Sequence, residues 1–201
     1  MSADRGRAWQ RMLSGRRLDL LDPSPRDIEI ADIAHGLARV ARWNGQTAGP
    51  HVFSVAQHAL LVEAIGRALA PDLGAGACLE LLLHDAPEYV VGDIISPFKA
   101  AIGDSYKAVE RRLLAAIRQR FGLPEPGRDL VMLVKRADGS AAYHEAIRLA
   151  GFSRDEADAI FDACAALSPE ADALLDPWSS DVAQARFLAR FDALVGPEEV
   201  A

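Results

Sequence analysis

The sequence predicts an all-helical single domain. From residue 28 onward the apolar side chains recur at helical spacing, and no stretch shows the alternation of a half-buried strand. There is also no internal repeat and no low-complexity segment, so one core has to gather the helices. At 201 residues, half of them hydrophobic and a quarter charged, the chain is long enough to bury such a core.

Residues 1–27 read as a polar, Arg-rich N-terminal extension that ends in Asp22-Pro23-Ser24-Pro25-Arg26, where the prolines stop any helix. A first helix follows, with Ile28, Ile30, Ile33, Ala34, Leu37, Val40 and Ala41 on one face and Arg39, Arg42 and Trp43 at its end. The Gly- and Pro-containing stretch 44–50 is a loop. Ser54 is the N-cap of a second helix running to about Leu69, with His58 near its first turns. Residues 71–76 connect it to a helix over 77–85 that is apolar almost all round and therefore central. Pro87 ends or bends that helix, and Gly92-Asp93 turns the chain. Amphipathic helices are predicted over 98–121, stopped by Gly122-Leu123-Pro124, and over 128–150. Helices 155–167 and 181–195 complete the set, so that 28–150 forms the core and 151–201 packs on the same domain.

Composition narrows the function. A net charge of −7 argues against a nucleic-acid polymer or an anionic membrane as partner, although a small anionic substrate fits if a local cation is present. The longest apolar runs are broken by Arg, Glu or His, and the N-terminus lacks the apolar stretch of a secretory signal. Cys78 and Cys164 lie far apart in apolar helical context and read as reduced core residues of a cytoplasmic protein.

The chemistry gathers where the apolar run Leu79 to Leu83 ends in His84-Asp85, followed by Glu88, Asp93 and Lys99. Charges delivered at the end of a buried segment need compensation, and a metal ion beside a charged substrate supplies it. His58, His84, Asp85 and Asp138 can form one such site. Two imidazoles and two carboxylates suit a single divalent ion of the Mn, Co, Fe, Ni or Zn type. Asp85 and Asp138 are placed mid-helix by their flanks, Leu-Leu-His and Lys-Arg-Ala, where capping has no role. His35, His51 and His144 read as structural, and Arg16-Arg17 and Glu110-Arg111-Arg112 as solvated faces.

In that order, His58, His84-Asp85 and Asp138 resemble the H…HD…D signature of the HD-domain phosphohydrolase superfamily. Glu88 and Asp93 resemble the HDxxE…GD pattern of its bacterial 5′-deoxynucleotidase branch. Ser96-Pro97-Phe98-Lys99, the segment Val134 to Tyr143 around Asp138, and Arg42-Trp43 are similar to that branch as well, and the likeness spans roughly residues 28–150. The resemblance implies an HD-domain helical bundle that uses one divalent metal ion to hydrolyse a phosphomonoester. It makes His58, His84, Asp85 and Asp138 the ligands and Glu88 the catalytic acid/base. Asp93 would accept from a sugar 3′-hydroxyl, Arg42 and Lys99 would hold the phosphate, and Trp43 would crowd the sugar against ribose. The implied substrate is a (deoxy)nucleoside 5′-monophosphate. The alternatives are a deoxynucleoside triphosphate or a non-catalytic nucleotide-binding module.

The oxygen-activating and cyclic-nucleotide members of the superfamily use extra histidines, and between Asp85 and Asp138 this sequence has none. Gln57 stands where the family often has an acidic residue before the first ligand. Dimers are usual in the branch, and the apolar helix from Val182 to Val195 is the candidate surface for a homodimer.

Overall fold

A computed structural model of the chain describes residues 8–95, 98, 104–161 and 166–196. A short antiparallel hairpin comes first, β1 (Trp9–Arg11) and β2 (Arg17–Asp19). The helices follow as α1 (Ile30–Leu37), α2 (Val55–Leu69), α3 (Ala75–Leu82), α4 (Glu88–Val91) and α5 (Asp104–Arg120). After them come α6 (Arg128–Arg148), α7 (Arg154–Ile160), α8 (Pro169–Asp172) and α9 (Ser180–Val195). The protein is predominantly helical, and no described helix is long and apolar enough to cross a membrane.

The central element is α2 rather than α3. It packs against α3, α6 and α9 and buries residues on every side, from Val55 through Val62 to Gly66. Its start is fixed as the sequence predicts, with the Ser54 hydroxyl accepting from the Gln57 N–H at 3.2 Å. Two apolar clusters meet along it. The larger joins Ile33, Leu37, Leu82, Leu113 and Phe187, and the smaller joins Phe53, Leu61, Leu81, Ala137 and Leu175.

Several boundaries differ from the sequence-based expectation, each for a local reason. The first helix stops at Leu37 instead of running to Trp43, because Ala41 pairs as an isolated bridge with Ser54. Arg42 and Trp43 then sit in a 3-10 turn, Arg42–Gly45, in which Trp43 (φ 56°) and Asn44 (φ 51°) are both left-handed. Helix α3 ends at Leu82, which leaves His84 and Asp85 in the turn before α4, so Asp85 is not mid-helix. The helix expected over 155–167 ends at Ile160, and Ser168 caps the separate α8. Of the helix expected from residue 98, the described part is α5, and 99–103 lie outside the described residues.

The hairpin corrects the expectation that the chain has no strands. Strands of three residues are too short to show alternation, and what holds them is tertiary. Leu18 is fully buried, and Ser14 donates through its backbone N–H and its hydroxyl to the buried Asp32 of α1. The C-terminal segment is tied down by Gln57, whose amide donates to the carbonyls of Leu174 (2.7 Å) and Asp176 (2.6 Å) and accepts from the Trp178 N–H. A carboxylate at position 57 would have no protons for those carbonyls, which accounts for the glutamine there.

Candidate metal centre

Three segments bring the four expected ligands to one place. His58 comes from the first turn of α2, His84 and Asp85 from the turn after α3, and Asp138 from the middle of α6. Nε2 of His58 lies 3.3 Å from Oδ1 of Asp138 and 3.6 Å from Oδ2 of Asp85. Nε2 of His84 lies 3.2 Å from that same Asp85 oxygen. One ligand atom from each of the four falls within 4.8 Å of all the others. The imidazoles form a buried floor, whereas the Asp138 side chain is 43% exposed and opens the cluster to solvent.

The tautomers follow from the outer nitrogens. Nδ1 of His84 faces the Leu81 carbonyl at 2.9 Å, which can only accept, so Nδ1 carries the proton. Nδ1 of His58 lies 2.6 Å from the fully buried carboxylate of Glu145 and donates to it. Both Nε2 atoms are buried and lack a hydrogen-bond partner among the described residues, although carboxylate oxygens stand just beyond bonding geometry. Orphaned buried nitrogens are costly unless something binds them. A cation with bonds of about 2.0–2.2 Å to nitrogen and oxygen fits among donors spaced like these. The cluster could hold a metal ion.

The electrostatics agree. Burial and the Arg42 guanidinium push the His58 imidazole down, yet Glu145, Asp138 and Asp85 together hold it well above the ordinary histidine range. Burial likewise opposes His84, which Asp85 raises. Burial works against the Asp85 carboxylate, but the two imidazoles hold it well below the usual range, and His58 lowers Asp138. The cluster favours protonated imidazoles beside ionised carboxylates, and a metal would compete with those protons.

Glu145 is the site residue the sequence reading missed. Burial would raise it, but His58, Arg42 and the Trp43 indole N–H bring it down to about 2. It accepts from Trp43 Nε1 at 2.9 Å and from Arg42 Nε at 3.4 Å, and Arg42 Nη1 continues to Asp93 at 3.1 Å. A carboxylate that orients a ligating histidine is a recurrent device of metal sites. The available signal was spacing: Glu145 lies two helical turns after Asp138 and so shares its face of α6.

Through Glu145 the structure joins Arg42, Trp43 and Asp93 to the His/Asp cluster. Trp43 is further enclosed by Phe152 (5.6 Å between ring centroids) and Phe161 (6.4 Å), side chains from beyond the predicted core. These contacts offset the strain of its left-handed backbone. Glu88 is 2% exposed at the start of α4, and its N–H donates to the Asp85 carbonyl at 3.0 Å. α4 is fixed by close packing, because a Cβ on Gly36 of α1 would stand 2.8 Å from the Tyr89 Cβ and carbonyl oxygen. Gly92, with φ 78°, then turns the chain so that Asp93 reaches Arg42. Tyr106 of α5 donates to the Gly92 carbonyl and closes the far side. Lys99 lies outside the described residues, as does Cys164.

No family model matches the chain. An uncharacterized protein of Rhodobacter capsulatus, RCAP_rcc00048, is 59% identical to it over 157 residues, covering 77% of this chain and 80% of that protein. The chain belongs to the family of that Rhodobacter protein. The uncharacterized protein YfdR of Escherichia coli is 41% identical over 98 residues, and the match spans 49% of either chain.

Proposed function

We propose that the protein is a divalent-metal-dependent phosphohydrolase acting on a small phosphate ester, a (deoxy)nucleoside 5′-monophosphate in the first instance. The observation that carries this is the pair of buried, unpartnered imidazole nitrogens facing Asp85 and Asp138 beneath a solvent-open rim. His58, His84, Asp85 and Asp138 would hold the ion, of the Mn, Co, Fe, Ni or Zn type. Once bound, the ion supplies Lewis acidity to a phosphoryl oxygen and lowers the pKa of water.

The chain's own groups supply the rest. Glu145 keeps His58 in the ligating tautomer and takes up the Trp43 N–H. Glu88, one turn from Asp85, takes the proton of the attacking water as its oxygen bonds to phosphorus. That proton passes to the departing 5′-oxygen as the P–O bond breaks. Arg42 spends Nε on Glu145 and Nη1 on Asp93, leaving Nη2 without a hydrogen bond among the described residues and available to a phosphate oxygen. Asp93, anchored by Arg42, accepts from the 3′-hydroxyl, Trp43 crowds the sugar, and Lys99 adds a second cation on the phosphate. Reduced cytoplasmic conditions suit the buried free thiol of Cys78. The homodimer surface has to be sought beyond the inner face of α9, because Ala183, Phe187 and Phe191 are spent on the chain's own core.

The test is phosphate release from nucleoside mono-, di- and triphosphates, ribo and deoxy, with each candidate metal. Metal-dependent release from a 5′-monophosphate, lost in Glu88→Gln, supports the proposal. Release of intact triphosphate would move the substrate to the deoxynucleoside triphosphates. Nucleotide binding without turnover would leave a binding module.

A further inference from the structure

The face of α2 turned away from His58 lines a half-open pocket of about 510 Å³, flanked by α8 and α9. Leu60, Ala64, Ala68, Ala171 and Leu174 give it an aliphatic wall. At its base the buried carboxylate of Glu63 accepts from Arg67 Nε at 2.8 Å and from Arg190 Nη2 at 2.5 Å, both on the same oxygen. Burial and the nearby Glu63 carboxylate raise the Cys78 thiol.

Two guanidiniums on one buried carboxylate leave an excess of one positive charge. Glu170, the other acid in the lining, is exposed to solvent, and its own backbone N–H and Ser168 lower its carboxyl. Arg190 Nε is buried and has no hydrogen-bond partner among the described residues. A buried donor without an acceptor is unfavourable, and an anion entering the cavity would accept from it. The described lining holds no aromatic ring on which a base could stack, which disfavours a second nucleotide. The volume lies in the range of small-molecule sites.

We propose that this cavity binds a small aliphatic monocarboxylate, its carboxylate on Arg190 and Arg67 and its alkyl chain along Leu60, Ala64 and Leu174. The site is separate from the metal centre and does not depend on the hydrolase proposal.

Titration calorimetry of the full chain in EDTA, with hexanoate as ligand and 1-hexanol and inorganic phosphate as comparisons, tests it. Hexanoate should bind with a Kd on the order of 1 mM, hexanol and phosphate at least about tenfold more weakly. Arg190→Met should weaken hexanoate about tenfold or more. Should that variant fail to fold, Ala64→Phe, which fills the cavity and keeps every ion pair, should abolish binding while leaving divalent-metal binding unchanged. No hexanoate binding, equal binding of hexanol, or hexanoate binding that survives Ala64→Phe would overturn the proposal.

Discussion

The two faces of α2 bury carboxylates in opposite ways. Around Glu63 the chain supplies its own counterions, with Arg67 and Arg190 meeting on one oxygen. Around His58 it gathers Asp85, Asp138 and Glu145 but provides one guanidinium, Arg42, which is already committed to Glu145 and Asp93. The remaining deficit falls on two imidazoles whose inner nitrogens have no hydrogen-bond partner. In the first arrangement the chain compensates its own carboxylate and has positive charge to spare. The second is complete only with protons or with a cation from outside, so one face is left with surplus positive charge and the other with surplus negative charge.

The comparison breaks most readily at the ligands. His84→Ala or Asp138→Asn should lower divalent-metal affinity by more than about 100-fold, beyond the range of an outer-shell change, while far-UV circular dichroism stays helical. On the opposite face, Glu63→Ala should cost about 2–3 kcal/mol in urea unfolding and leave the metal stoichiometry unchanged. That is less than a fully buried orphan would cost, because Arg67 and Arg190 keep some exposure. Metal loss in Glu63→Ala with full stability would reverse the two assignments.

Glu145→Gln sharpens the contrast, because it removes the charge behind His58 without touching a ligand. Metal affinity should fall by about 10–100-fold, and the indole of Trp43 should change its fluorescence. A still smaller, graded effect is expected from pH. His58 and His84 are raised in the metal-free protein, so protons compete with the ion up to those raised values. Affinity should therefore climb with pH below those raised values by up to tenfold per unit for each proton displaced, then level off above them. Calorimetry in buffers of different ionisation enthalpy counts those protons, and binding without proton release would contradict the assignment. For the metal-free fold the signs divide. The imidazoles stabilise it at pH below their unfolded value, and that contribution is lost as pH rises through the raised folded values. Glu145 stabilises it above the ordinary carboxylate range, a contribution lost as pH falls toward about 2.

Much of this was legible in the sequence. Helical spacing located α2, α6 and α9, and the order His58, His84-Asp85, Asp138 located a cluster that the fold brings within 4.8 Å. What stayed hidden depends on packing across the chain. The hairpin rests on Leu18 and on Ser14 meeting Asp32, which no local pattern announces. The stop at Leu37 comes from a bridge between Ala41 and Ser54, and the turn that carries Trp43 is kept left-handed by Glu145, Phe152 and Phe161. Gln57, a departure from the resembled pattern, turned out to clamp the segment 174–178. Glu145 lay in plain view on an apolar face, and only the arrival of His58 gives it a role.

The most direct test is metal content of the purified chain after saturation with Mn, Co or Zn and gel filtration, read by mass spectrometry beside the double variant His84→Ala/Asp138→Asn. About one ion per wild-type chain and none in the variant is the predicted result, as befits a single ligand set. Equal metal in the two proteins, or none in either, would contradict it.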